Sequence, residues 1–135
     1  MIFLDTNVLL DVLEAADTPE ADWSRRSLAA AAERQLITNM IVAAELAGME
    51  ADPGSLQQSL SEAEIELVDL DFASAHRAGI AHREYRRRGG ARTTIVADFL
   101  IGAHASVLGA ALLTRDRGFR SYFPELSMIT PETHP

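Results

Sequence analysis

The sequence predicts an α/β fold built around a mostly parallel sheet, and three observations carry that reading. Short, nearly continuous apolar runs stand at residues 2–4, 36–38, 65–70 and 110–114, as suits strands covered on both faces. Longer segments between them repeat apolar residues at helical spacing. Acids close two of the runs, Asp5 after the first and Asp116 after the fourth. In open α/β sheets the carboxyl ends of the strands are where ligands bind.

At 135 residues the chain has the length of one domain, able to bury roughly two-thirds of the surface its unfolded form exposes. Hydrophobic residues make up 47% and charged residues 24%, the balance of a globular protein. The absence of cysteine removes disulfides, thiolate metal sites and cysteine nucleophiles, and fits a cytoplasmic location. Lysine is absent too: all twelve basic residues are arginine, which excludes P-loop phosphate binding and Schiff-base chemistry. A net charge of −8 argues against binding nucleic acid over the whole surface but leaves room for a local basic patch. No basic n-region of a signal peptide precedes Asp5. The one span-like stretch, 95–113, contains Asp98, His104 and Ser106, so it reads as a buried helix followed by a strand and not as a membrane segment.

Taken in order, strand 2–4 runs into a helix capped by Thr6 or Asn7, with Asp5 either a capping acid or a chemical one. Thr18-Pro19-Glu20 leads into a second helix through Trp23 and Leu28 to about Glu33. After strand 36–38, a helix from about Asn39 puts Ile41, Val42, Leu46 and Met49 on one face. Glu45 lies within that face, so its carboxylate is expected to point to the interior or to the edge of a cleft. Asp52-Pro53-Gly54-Ser55 interrupts the helix, and a polar amphipathic segment to about Glu64 precedes strand 65–70. Asp71 caps helix 72–88, whose end gathers Arg83, Arg86, Arg87 and Arg88, with Arg92 beyond Gly89-Gly90. With Tyr85 among them, these arginines are either a solvated helix end or a place to hold phosphates and stack on bases.

Thr93 or Thr94 can cap the central buried helix, 95–109. Asp98 shares a stripe there with Gly102, Ala105 and Gly109, small residues that let another backbone approach, which aims the acid at the sheet edge. His104 reads as a packed histidine, since no second histidine stands at ligand spacing. Strand 110–114 ends in Thr114-Arg115-Asp116, residues 117–119 turn away, Tyr122-Phe123-Pro124 packs the end of the sheet, and 127–129 is the last edge strand.

In a parallel sheet this places Asp5, Asp98 and Asp116 on one rim, within reach of Glu45. Two carboxylates about 5 Å apart repel by roughly 3 kcal/mol at an effective dielectric near 20, so the set calls for a cation. Without lysine, cysteine or a histidine pair, a hard divalent ion held by oxygen, Mg²⁺ or Mn²⁺, is the expected partner, and phosphodiester hydrolysis the expected chemistry.

These residues resemble the PIN domain ribonucleases, in particular the VapC-like toxins of toxin–antitoxin pairs. The resemblance covers essentially the whole chain. It rests on Leu4-Asp5-Thr6-Asn7 with Val8-Leu9-Leu10-Asp11, on Ala44-Glu45-Leu46, on residues Ala97 to Ala105 around Asp98, and on Leu113-Thr114-Arg115-Asp116 with Phe119. It implies a three-layer α/β/α sandwich, a Mg²⁺-dependent endoribonuclease with metal ligands at Asp5, Glu45, Asp98 and Asp116, and polar support from Thr6, Asn7 and Thr114. Arg86, Arg87 and Arg88 are the candidate RNA-binding residues. An RNA substrate, a cognate antitoxin and a homodimer are the implied partners. Two positions depart from the pattern: Gly118 stands where many relatives carry a further acid, which bears on a second metal, and Asn39 stands near a frequent serine, where it could bond a phosphate oxygen or a metal-bound water. The alternatives are a PIN nuclease of RNA processing without an antitoxin, a silent PIN-like binding module, and a phospho-aspartate receiver or phosphatase; the last is disfavoured by the missing lysine. Leu9, Leu13, Met40 and Met49, apolar residues flanking the acids, read as core packing, with an anchoring groove for an inhibitory peptide as the second reading.

Overall fold

The computed structural model describes residues 1–93 and 96–135. Its elements are β1 (Ile2–Leu4), α1 (Thr6–Leu13), α2 (Pro19–Ala30), β2 (Leu36–Thr38), α3 (Met40–Leu46), α4 (Pro53–Glu62), β3 (Ile65–Leu67), α5 (Phe72–Arg87), α6 (Ala97–Leu108), β4 (Ala111–Leu113), α7 (Phe119–Tyr122) and β5 (Met128–Ile129). The strands form one sheet in the order β3-β2-β1-β4-β5, every pairing parallel. The first strand is therefore the middle one. Ile2 and Phe3 stand opposite Leu36 and Ile37 on one side and Ala111 and Leu112 on the other. Side chains of β1 alternate between two helical layers: Phe3 meets His104 of α6 edge-on at 5.5 Å, whereas Ile2 lies beside Trp23 of α2. The expected α/β/α sandwich is thus observed. Among the described residues no helix is long and apolar enough to cross a membrane.

Thr18, Asp52 and Asp71 cap α2, α4 and α5 through their side chains. At α1 the expectation of Thr6 or Asn7 fails: Asp5 is the cap, its Oδ1 accepting from the Thr6 amide at 2.8 Å, and Thr6 and Asn7 lie inside the helix. Val96 stands at the start of α6 without a side-chain cap bond, so Thr93 does not cap it, and Thr94 and Ile95 lie outside the described residues. Strand β3 stops at Leu67, short of residue 70, because its neighbour β2 ends at Thr38, whose carbonyl takes a last bond from the Val68 amide. Gly102 admits aromatic rings and not another backbone: a Cβ there would stand 2.5 Å from Cε2 of Phe123.

Two buried polar residues hold α3 and α6 together. Asn39 Oδ1 caps α3 by accepting from the Ile41 and Val42 amides, so its Nδ2 is the donor to His104 Nδ1 at 3.0 Å. His104 is then the neutral tautomer, with Nε2–H left for the Asp69 backbone. Burial holds its pKa below the ordinary 6.5, against the opposing pull of the Asp71 carboxylate. The unfolded chain takes up a proton near pH 6.5 that the native state resists, so this histidine costs stability as pH falls through that value, by up to about 1.4 kcal/mol per pH unit. Asp5, raised to about 6, acts with the opposite sign at lower pH; comparison with His104→Gln separates the two. Denaturant unfolding between about pH 5 and 7.5 should show a shallower fall for His104→Gln than for the parent. Equal slopes would remove His104 as the cause.

Candidate functional site

Leaving β1, the chain builds β2 and β3 to one side and then crosses back to β4 on the other. The crevice beyond the carboxyl ends of β1 and β4 is therefore the topological switch point, where open α/β sheets place ligands. Asp5 follows β1, and Thr114 to Asp116 follow β4.

Asp5 is 4% exposed and hydrogen-bonded through both carboxylate oxygens. Oδ1 accepts from the Thr6 amide, while Oδ2 accepts from Thr114 Oγ1 at 2.6 Å and from Asn7 Nδ2 at 3.1 Å. Asn7 turns its Oδ1 to the Arg115 amide at 3.1 Å, and Thr114 Oγ1 takes the Asp116 amide at 3.0 Å. One side-chain network thus ties the end of β1 to the segment that carries Asp116. Gly118 contributes its backbone, its amide donating to Asp116 Oδ1 at 2.8 Å.

Glu45 reaches the same place by a route other than the expected one. The buried face of α3 consists of Val42 and Leu46, and Glu45 is exposed. Its carboxylate stands at the edge of the crevice, where Thr6 Oγ1 donates to Oε1 at 2.6 Å. The inward-facing alternative is corrected accordingly. Asp98 lies half-buried in the first turn of α6.

Two of the acids, Asp5 and Asp98, feel the charges of their neighbours. Burial raises the Asp5 pKa to about 6, opposed by the Thr114 and Thr6 bonds and reinforced by the charges of Asp98 and Glu45. Asp98 is also pushed up, first by burial and then by Asp116 and Glu45, with Arg92 pulling the other way. Each of the four thus lies within electrostatic reach of another, and Arg92 is the cation nearest in effect to Asp98.

Among the described residues no three histidine or carboxylate side chains are gathered closely enough to hold an ion between them. The donors are all carboxylate oxygens, three of the four acids at the surface or half-buried. That set does not fit an ion caged by protein, but it fits a hard divalent ion that keeps much of its own water, the habit of Mg²⁺. Asn39 does not belong to it. Its amide is consumed at both ends, which corrects the expectation that it could bond a phosphate oxygen or a metal-bound water.

Arg86, Arg87 and Arg88 are exposed at the end of α5, and Asp98 lies in the first turn of α6, the next helix in the chain. Arg86 donates to the Gly90 carbonyl, Arg87 pairs with Glu84 at 3.4 Å, and Arg88 donates to the Ser121 carbonyl. Leu13, Met40 and Met49 are 38%, 50% and 57% exposed, so the core reading holds for Leu9 alone. Sequence reasoning missed a further pair. Arg115 binds Asp11 through two bonds, Nε to Oδ2 at 2.7 Å and Nη2 to Oδ1 at 3.1 Å, and Ser24 Oγ adds a third at 2.5 Å. The signal available was an acid among the apolar residues of α1.

The PIN domain profile matches residues 2–122. No protein of curated function matches the sequence. In fold the chain is similar to VapBC2 from Rickettsia felis bound to a DNA fragment from its promoter, with TM-score 0.72, 23% identity, and 96% of this chain and 98% of that chain covered. It is similar to VapBC-1 from nontypeable Haemophilus influenzae, with TM-score 0.73, 17% identity and coverage of 96% and 98%. A toxin–antitoxin complex from Klebsiella pneumoniae follows, with TM-score 0.68, 20% identity and coverage of 97% and 98%.

Proposed function

The chain belongs to the PIN domain family, and we propose that it is a Mg²⁺-dependent endoribonuclease acting as the toxin of a toxin–antitoxin pair. One observation carries the nuclease reading: Asp5, Glu45, Asp98 and Asp116 come from four separate elements to the switch-point crevice, where the charges of their neighbours add to burial in raising the pKa of Asp5 and Asp98. Such repulsion does not stabilise a fold by itself, and a divalent cation relieves it. When bound, Mg²⁺ or Mn²⁺ supplies a water of lowered pKa and neutralises charge on the phosphate. The protein's own part is to hold the four carboxylates. Thr114, Asn7 and the Thr6 amide fix both oxygens of Asp5, and Thr6 Oγ1 aims Glu45.

The toxin reading is supported by the toxin–antitoxin complex among the similar structures and by Leu13, Met40 and Met49, exposed apolar residues in α1, α3 and just past it, the elements that carry the acids. A peptide antitoxin that anchors on them can place a basic residue in the crevice. A homodimer belongs to the same reading. In protein first stripped with chelator, millimolar Mg²⁺ or Mn²⁺ should raise the unfolding midpoint and switch on RNA cleavage, and the product of an adjacent gene should abolish that cleavage in co-purified complex. An unchanged midpoint together with metal-independent cleavage would sink the metal site; an active, uncomplexed protein would sink the toxin role alone.

Arg86, Arg87 and Arg88 are proposed to position the RNA backbone, at the same end of the α5–α6 pair as Asp98. Replacing all three with Gln should weaken RNA binding and lower the slope of log affinity against log salt by about 2. A slope equal to the parent's would make them a solvated helix end.

A further inference from the structure

A cavity of about 400 Å³ lies away from the acids, between α2 with the turn after it, strand β1, edge strand β5 and the tail beyond it. None of the four acids or their polar supports lines it. Its volume falls in the range of small-molecule sites, roughly 300–1,000 Å³.

The lining combines an apolar surface with a specific charge. Trp23, Ala30 and Ile129 supply aliphatic and aromatic surface, with the fully buried Ile2 behind them. The Trp23 Nε1–H is already spent on the His134 carbonyl at 2.7 Å, so the indole has only ring surface left to offer. Arg26 and Arg34 line the same cavity, and neither guanidinium has an ion-pair partner among the described residues. No aspartate or glutamate lines it, although the chain holds 20 acids against 12 arginines. In a protein this acidic, two guanidiniums without an ion-pair partner among the described residues, beside an apolar hollow lined by no Asp or Glu side chain, are complementary to an anion that carries an apolar body.

We propose that this cavity binds a small organic anion, a phenyl ring or short alkyl chain bearing one carboxylate or phosphate. The apolar body rests on Trp23, Ala30 and Ile129, and the anionic head is taken by Arg26 and Arg34. Because both arginines are exposed, the head group adds selectivity more than affinity, and most of the binding comes from the buried body.

Trp23 is the single tryptophan of the chain, so its emission reads the occupancy of this cavity directly. The full chain is titrated with octanoate, phenylacetate and phenyl phosphate, and separately with acetate, inorganic phosphate and octanol. A saturable change in emission with at least one of the first three, absent with acetate and inorganic phosphate, is the expected result. The responding member tells whether the head is carboxylate or phosphate. In Arg26→Gln/Arg34→Gln the same titration should be weakened about tenfold, with circular dichroism unchanged because both side chains lie at the surface. No saturable change, an equal response from octanol, or an equal affinity in the double variant would overturn the proposal.

Discussion

Asp98→Asn is expected to cut RNA cleavage by at least about a hundredfold while leaving the metal-free protein as stable as the parent or more so. Loss of a partner outside the ligand set already costs metal sites roughly 10–100-fold, and loss of a ligand costs more. The stability half of the expectation comes from electrostatics. The Asp98 pKa is raised by burial and by the charges of Asp116 and Glu45, so its ionised form is disfavoured where it stands. A neutral amide of the same shape removes that repulsion. Arg92, which alone favours the charge, loses a partner but stays solvated. Activity and chelator-treated unfolding should be measured on one preparation. Parent-like cleavage by the variant would withdraw Asp98 from the site, and a collapsed midpoint would show that its carboxylate is structural.

Asp11→Ala should cost about 2 kcal/mol or somewhat more of stability. Asp11 is 8% exposed and accepts three bonds, two from Arg115 and one from the fully buried Ser24. Breaking a wholly buried pair costs about 3–5 kcal/mol because a charge is left behind. Here the Arg115 side chain is 30% exposed and recovers some water, which lowers the figure, while the Ser24 hydroxyl is orphaned in the interior. A cycle with Arg115→Ala, followed by denaturant unfolding, isolates the pair. A coupling near zero would show that the two bonds contribute nothing. Arg115 is also the neighbour of Asp116, so the same change should loosen the segment after β4 and lower cleavage in step with stability.

The residues at strand ends were readable because a parallel sheet converts position in sequence into position in space. Asp5 and Asp116 end on one rim once β1 and β4 are recognised, and β1 pairs with β4 in register from Ile2 to Leu4. Glu45 was placed on the right rim for the wrong reason. A helix reaching Met49 has an apolar face that includes position 45, but α3 ends at Leu46, and its short buried face excludes that position. The same shortening put Met49 in solvent. Asn39 was misread because a cap residue and a phosphate ligand look alike in sequence, and only the buried His104 behind it shows that its amide is already taken. The Asp11–Arg115 pair was out of reach altogether, its partners 104 residues apart.

The central place of β1 has a consequence for the order in which the protein can form. Within this sheet the strand made earliest is the one that needs both neighbours, and its pairing with β4 waits for all the intervening segments; the Thr114–Asp5 bond alone spans 109 residues. Such long-range parallel contacts are slow to close. Until they do, the apolar Ile2–Leu4 segment keeps one edge open, Asp5 lacks Thr114, and Asp116 has not been synthesised. A truncated or nascent chain therefore carries an aggregation-prone edge and an incomplete acid set. The complete crevice exists only after the last strands have docked.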